Sequence, residues 1–335
     1  MRVSAIIPTY NRREQLFRAI DSAFEQTLPV AEVIVVDDGS TDGTAEAVEQ
    51  CYGSRVRLFR QLNAGVSAAR NLGIRESRGD WIGLLDSDDW WHPEKLQRQS
   101  EAIESFGGAP DLCFTDNLYG GNPQMTFSRF EEVAFRDAAS MGILNDTAWR
   151  ILAGQEPFFT SSFLIRRSTF DEIEGFDEML TLREDTDVAF RLSFKTQFCF
   201  VREPLTEIDR TPSRSLGLCK LYGTRADVVF DCSVRIYKKW LAMPEVAGSR
   251  YEAPLHDLLE DIYYASAESK FREMRLKSAF SSLGRVRDMG TRPGQIATTL
   301  VARKMQKMKR NWANRFRRAP MNPADQSLVS VNQDQ

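Results

Sequence analysis

Apolar runs that stop abruptly against acids constrain this chain more than any other feature. Val33-Ile34-Val35-Val36 ends at Asp37-Asp38-Gly39-Ser40, and Trp81-Ile82-Gly83-Leu84-Leu85 ends at Asp86-Ser87-Asp88-Asp89. Neither run alternates apolar with polar residues, so both suit strands covered on two faces. A third run, residues 3–7 with Ser4 inside, ends at Pro8-Thr9-Tyr10-Asn11. Residues 56–59 and 112–114 add two further strands. Helical patterns fall between the strands. Leu16, Ala19, Ile20, Ala23 and Phe24 recur at helical spacing, residues 41–51 suit a helix, and Val66, Ala69, Arg70 and Gly73 lie on another. Pro93 suits the first turn of a fourth helix. Strand and helix thus alternate over roughly the first 115 residues, which predicts an α/β fold with a mostly parallel sheet. Ligands bind such sheets at the carboxyl ends of the strands. The polar groups at Thr9-Tyr10-Asn11, Asp37-Asp38 and Asp86-Ser87-Asp88 would then face one site.

The second half reads differently. Residues 120–157 are less regular, 158–165 and 198–201 suit strands, and 184–194 suit a helix. From about residue 216 the pattern is helical, with 222–241, 255–274 and 276–286 as candidates, the last two suiting a helical hairpin. The formal charge is −3, with 44 Lys plus Arg against 47 Asp plus Glu. That balance argues against nucleic acid as the main partner. Yet eight basic residues between Arg303 and Arg318 stand with no acid among them. They suit either a solvated tail or peripheral contact with an anionic membrane. Residues 319–335, with Pro320 and Pro323, read as a disordered tail. No apolar run reaches the roughly 18 residues of a membrane-spanning helix, and residues 3–7 are too short for a signal-peptide core. Five scattered cysteines without CxxC spacing suit reduced thiols, and hence a cytoplasmic protein. With only His92 and His256, a His-rich zinc site and a Ser-His-Asp triad are both poor fits.

The acid clusters carry the chemistry. Three carboxylates within Asp86–Asp89 repel one another. They suit either an acidic turn capping the next helix, or a divalent cation held by oxygen ligands and substrate phosphates. Asp37-Asp38 suits a turn, with Ser40 or Thr41 capping the helix that follows, and also a carboxylate bonding a base or ribose. Arg70 suits either solvent or a nucleotide edge or phosphate. Glu184-Asp185-Thr186-Asp187 suits either an acidic first helical turn or a carboxylate base aimed into a cleft.

Five strings in this order resemble glycosyltransferase family 2, the inverting nucleotide-sugar transferases of GT-A fold. They are SAIIPTYNR at 4–12, VIVVDDGSTDGT at 33–44, NAGVSAARNLGI at 63–74, GDWIGLLDSDDWWHPEKL at 79–96 and REDTDVAFRL at 183–192. The resemblance implies a GT-A domain over 1–215, a Rossmann-like sheet flanked by helices. Its donor half would be 1–117 and its acceptor and catalytic half 118–215. A helical extension over 216–318, with the basic segment at 303–318, would follow. The resemblance also implies roles. Pro8, Thr9 and Tyr10 would line the nucleotide base. Asp38 would bond the base with Asp37 close by, and Arg70 would contact base or donor. Asn63 and Ser87 would lie on the donor side, and Asp86 would hold the ribose. Asp88 would hold Mn²⁺ or Mg²⁺ as the DxD element, and Asp185 would be the general base with Glu184 beside it or binding acceptor. The implied partners are a nucleotide-sugar donor, of UDP type, and a glycan or lipid-linked acceptor of surface polysaccharide or glycoconjugate synthesis. The implied place is the cytoplasm or the inner membrane face.

Two departures matter. Residues 207–215 hold no His to complete the metal shell, leaving Asp209, water or phosphate. The QxxRW element of processive synthases is absent, which favours addition of one sugar. A sugar-nucleotide nucleotidyltransferase is disfavoured because Tyr10-Asn11-Arg12-Arg13 lacks a Gly-rich loop, and a Rossmann dehydrogenase because no GxGxxG follows the first strand. A decayed transferase that only binds glycans is a further alternative, opposed by the presence of both Asp88 and Asp185. Phe127, Phe130, Trp149, Phe158 and Phe159 lie in the expected acceptor region, where core packing is the favoured use of each.

Overall fold

A computed structural model describes residues 1–121, 125–137, 139–211, 225–272, 276–290 and 299. The basic segment and the tail lie outside them. The strands are β1 (Val3–Thr9), β2 (Glu32–Asp37), β3 (Val56–Arg60), β4 (Trp81–Leu84), β5 (Trp90–Trp91), β6 (Leu112–Gly120), β7 (Met141–Ile143), β8 (Leu164–Arg166) and β9 (Phe198–Asp209). They form one sheet in the order β3-β2-β1-β4-β8-β6-β9-β5, with β7 also on β9. β1 to β4 are mutually parallel. β8 runs antiparallel between β4 and β6, and β6 and β9 are parallel to each other. The mostly parallel α/β sheet expected from the apolar runs is therefore present, with β5, β7 and β8 reversed.

The chain order reverses beside β1, since β2 lies on one side of it and β4 on the other. Such a switch point opens a crevice at the carboxyl ends of the strands. Thr9, Asp37 and Asp86 follow from those ends. Helices cover both faces. α1 (Arg13–Phe24), α2 (Thr44–Tyr52) and α4 (Lys95–Ser105) bury Leu16, Ile20, Val48 and Leu96 with Ala5, Ile7, Val33 and Val35 in one core. On the other face α3 (Val66–Glu76) lies so close that a Cβ on Gly73 would meet Ile6 Cγ2 at 2.5 Å. Each fully buried Ile, Val or Leu adds roughly 1.5–3 kcal/mol.

The β6–β9 half has an aromatic core. Phe114 packs on Phe130, Phe158 and Phe200 with ring centroids 5.3–6.2 Å apart. Phe130 and Phe158 are thus core residues, as favoured, whereas Phe127 and Trp149 are partly exposed.

Several local expectations need correction. Residues 158–165 are not one strand. A 3₁₀ turn at Thr160–Ser162 precedes β8, with the Phe159 carbonyl accepting both the Ser162 N–H at 3.0 Å and the Ser162 hydroxyl at 2.7 Å. The cap of α2 is Gly43 rather than Ser40 or Thr41. The Asp42 carboxylate accepts the Thr44 N–H at 3.1 Å instead. No helix follows Asp86–Asp89 directly, and β5 stands there. The irregular 120–157 stretch carries α5 (Arg129–Glu132), β7 and α6 (Thr147–Leu152), and α7 (Arg167–Glu172) follows β8.

The chain divides into two compact units, Met1–Leu259 and Glu260–Gln335. α8 (Glu184–Leu192) and α9 (Ala226–Leu241) belong to the first, with Phe190 stacked on Trp240 at 3.8 Å. α10 (Glu252–Arg272) runs into the second, which also holds α11 (Leu276–Asp288). There Ser266 bonds Ser282 at 3.3 Å and Arg285 lies over Tyr263, the antiparallel pairing of a helical hairpin. Among the described residues no helix is long and apolar enough to cross a membrane.

Lys95 is fully buried between Gln99, whose Oε1 accepts its Nζ proton at 2.9 Å, and the Trp91 ring. Burial pushes its pKa down to about 7. The unfolded chain then binds more protons than the folded one from pH 7 up to the ordinary lysine pKa. Stability is therefore expected to rise through that window and to be lowest below it, by an amount on the order of a few kcal/mol. Lys95→Met should flatten this rise in urea midpoints measured from pH 6 to 10.

Candidate active site

The first wall of the crevice is the end of β1 and β2. Thr9 and Asp37 are register partners on these parallel strands. Thr9 Oγ1 and Asp37 Oδ2 are both buried without a hydrogen-bond partner. Asp37 Oδ1 accepts the Ser40 N–H at 2.9 Å, and Arg60 Nε stands 3.7 Å from Oδ2. Two orphaned polar atoms at adjacent strand ends are costly unless a ligand meets them. Pro8 is paired with Val36 just below, and Tyr10 is half-exposed at the rim.

Asp38 is differently engaged. Its Oδ1 accepts Gln61 Nε2 and the Ala64 N–H, both at 2.8 Å, and its Oδ2 accepts the Gly65 N–H at 2.8 Å. The carboxylate therefore shapes the loop that carries Asn63 into α3. Gly39 allows the close approach, since it has φ +83° and a Cβ there would meet the Asn63 nitrogen at 3.0 Å. Asn63 itself is exposed.

The second wall is Asp86–Asp89, in which each carboxylate has its own partner. Asp86 Oδ1 accepts Arg70 Nη2 at 2.6 Å. Asp88 Oδ2 is paired with Arg12 Nη1. Asp89 is buried, with Oδ2 accepting Ser161 Oγ at 2.5 Å and Oδ1 accepting the Asp209 N–H at 3.0 Å. Ser161 Oγ also accepts the Asp86 N–H at 3.1 Å, and Ser87 is buried. Burial pushes the Asp89 carboxyl well up, and the charges of Asp88 and Asp86 push it further. Burial raises Asp88 too, against the pull of Arg12.

The third wall is the start of α8. Arg70 Nη1 donates to Glu184 Oε1 at 2.9 Å, so one guanidinium joins Asp86 to Glu184 across 98 residues of chain. Burial alone would lower the Arg70 pKa, but the two carboxylates hold it well above its ordinary value. Burial raises Glu184, with Asp185 adding to the rise and Arg70 opposing it. Asp185 is half-buried, and its Oδ1 accepts only the Thr186 N–H and hydroxyl. Asp187 has no such freedom. It is fully buried and accepts from Arg191 Nε and Nη2, Lys239 Nζ and Trp240 Nε1 at 2.7–3.0 Å.

Three participants escaped sequence reading. Arg12 and Ser161 reach the acid loop from 76 and 72 residues away. Glu156 has a buried Oε2 without a partner, and its pKa is raised by burial and by the nearby charge of Asp185. The TYNR string contained Arg12, but nothing in it says which acid the side chain meets.

Among the described residues no cluster of three or more His, Cys, Asp or Glu is set to hold a metal. Asp89 is committed to Ser161 and the Asp209 N–H, and Asp86 is engaged by Arg70. The donor set fits a hard divalent ion of the kind that takes one or two carboxylates and draws its other ligands from phosphates and water. Asp88, with Asp86 beside it, would supply the protein's share.

The family model for glycosyl transferase family 2 matches residues 4–173, just over half of the chain. The chain belongs to glycosyltransferase family 2. It is 33% identical over 198 residues to an uncharacterized glycosyltransferase of Rickettsia bellii, covering 57% of this chain and 27% of that one. It is 32% identical over 200 residues to the succinoglycan biosynthesis protein ExoO of Rhizobium meliloti, covering 55% and 53%. The aligned part thus spans less than two thirds of these relatives' own length. In fold it is similar to S. aureus TarS 1–349 in complex with UDP-GlcNAc, with a TM-score of 0.61, 19% identity, and 78% and 71% of the two chains covered. The mannosyltransferase PcManGT from Pyrobaculum calidifontis, in complex with GDP-Man and Mn²⁺, superposes with a TM-score of 0.55, 21% identity, and 93% and 83% covered. The chain therefore carries the family 2 domain, with a GT-A sheet and C-terminal helices.

Asp187 and Asp185 stand two residues apart in one motif but differ in burial and partners. Asp187→Ala leaves Lys239, Arg191 and Trp240 without their shared acceptor. It should cost about 3–5 kcal/mol and show as a lowered urea midpoint for the first unit.

Proposed function

We propose that this glycosyltransferase moves one sugar from a nucleotide-sugar donor of the UDP class to a hydroxyl of a glycan or lipid-linked acceptor, with inversion. The product would belong to surface polysaccharide or glycoconjugate synthesis. The observation that carries this reading is the Arg70 bridge, which joins the acid loop after β4 to the first turn of α8. Donor and acceptor chemistry then share one crevice.

The donor side is Thr9 and Asp37, whose free buried oxygens suit the polar edge of a base, with Pro8 and Tyr10 flanking it. Asp38 acts there by holding the 61–65 loop and Asn63. Asp86 and Ser87 lie where a ribose would follow. A divalent ion, Mn²⁺ or Mg²⁺, held by Asp88 and the diphosphate would stabilise the charge that grows on the leaving nucleotide. A sugar hydroxyl is a poor nucleophile, so a carboxylate must take its proton as attack begins. Asp185 is the half-buried acid with a lightly used carboxylate at this place, and Glu184, fixed on Arg70, holds the helix turn that presents it. Attack from the face opposite the leaving group inverts the anomeric centre in one displacement. The segment 303–318, outside the described residues, would hold the enzyme at an anionic inner membrane surface.

Two measurements test this. In calorimetric titrations with Mn²⁺, UDP is expected to bind, with binding lost on chelation and in Asp88→Ala. GDP binding in its place would move the donor class. Asp185→Asn should keep UDP binding and thermal stability while lowering transfer at saturating donor by about 10²–10⁴-fold. Full transfer by that variant would remove Asp185 as base.

A further inference from the structure

The acid loop is neutralised by two cations that are held very differently. Arg70 is buried, with 3% of its side chain exposed, and is bonded to both Asp86 and Glu184. Arg12 is 26% exposed and pairs with Asp88 alone. Its backbone is anchored, and its side chain is held by the Asp88 pair alone. Asn11, at φ 51°, donates its N–H to Ser40 Oγ at 2.9 Å and accepts the Thr41 N–H on Oδ1 at 2.8 Å. These bonds fix the turn after β1 to the turn after β2. From that base the Arg12 side chain reaches Asp88, the one acid of the loop whose side-chain partner is a partly exposed guanidinium.

Building on the metal reading above, we infer that Arg12 is an internal counter-cation that the divalent ion must displace from Asp88. Three acids in four residues repel each other unless each is compensated. Asp89 is satisfied by neutral donors and Asp86 by an arginine too constrained to leave. Asp88 therefore needs a cation even without metal, and Arg12 supplies it. A divalent ion requires the same carboxylate, so the two compete for it. The pairing is partly exposed and singly bonded, which makes it weak enough to exchange. Metal alone would then bind poorly. Metal presented with a diphosphate would bind well, since the phosphates add ligands that Arg12 cannot block.

The test is Mn²⁺ titration of the full chain without nucleotide, with free Mn²⁺ read by electron paramagnetic resonance. Arg12→Gln should bind Mn²⁺ about two- to fivefold more tightly than the unmodified protein, the range a partly exposed ion pair allows. Arg13→Gln loses the same charge one residue along without touching Asp88, and should leave the affinity nearly unchanged. Asp88→Asn should abolish the site. Arg12→Gln binding no tighter than Arg13→Gln, or more weakly than the unmodified protein, would overturn the inference. UDP binding is measured in parallel. Where it depends on Mn²⁺ and on Asp88, the metal reading stands and the two arginine variants decide this point alone. Absence of Mn²⁺ binding with and without UDP would end both.

Discussion

A buried guanidinium organises this crevice. Arg70 rises from α3, which packs against the sheet, and bonds an acid from the end of β4 and another from the start of α8. Removing a charge from water is expensive, and it is tolerated only where geometry and partners are good. Two carboxylates on one arginine meet that condition. The same geometry prevents the acid loop and the α8 turn from moving apart independently. The residual Nε, buried and unpartnered, is the one flaw in the arrangement.

The acids around the crevice divide into those whose oxygens the protein fills and those that keep spare capacity. Asp38, Asp89 and Asp187 have their oxygens filled by backbone amides, hydroxyls, a lysine, an arginine or an indole. They order a loop, a turn and a helix pair. Asp37, Asp88 and Asp185 keep capacity that the protein does not fill firmly. The donor site proposed here needs both kinds. Without the first the crevice would not hold its shape under its own repulsion, and without the second nothing would be left to bind or to take a proton.

Much of the β1–β4 half was legible because its signals are local. The run at 33–36 cannot be covered on one face only, and the acids after it mark where the strand must end. Strand and helix positions there followed to within a few residues. The 158–165 stretch misled because its apolar composition suits a strand, while Ser161 and Ser162 turn their hydroxyls to the acid loop and to the local backbone. That use depends on Asp89, which is 72 residues away. In the same way Phe130 and Phe158 are indistinguishable in sequence from Phe127, and only the packing around Phe114 separates core from surface.

By itself, the sequence determined that this is an α/β chain with acids gathered at strand ends, and five ordered strings pointed to a family of sugar transferases. Periodicity and turn chemistry act over a few residues, so they survive in a linear reading. The tertiary structure alone decided which acid does what. Asp38 rather than Asp37 ties down the 61–65 loop, Asp187 rather than Asp185 is locked in the core, and Arg12 rather than a neighbour reaches Asp88. These are differences in burial and partner, set by contacts between segments far apart in the chain. A carboxylate's role follows from the charges and donors around it, and those are not written at its own position.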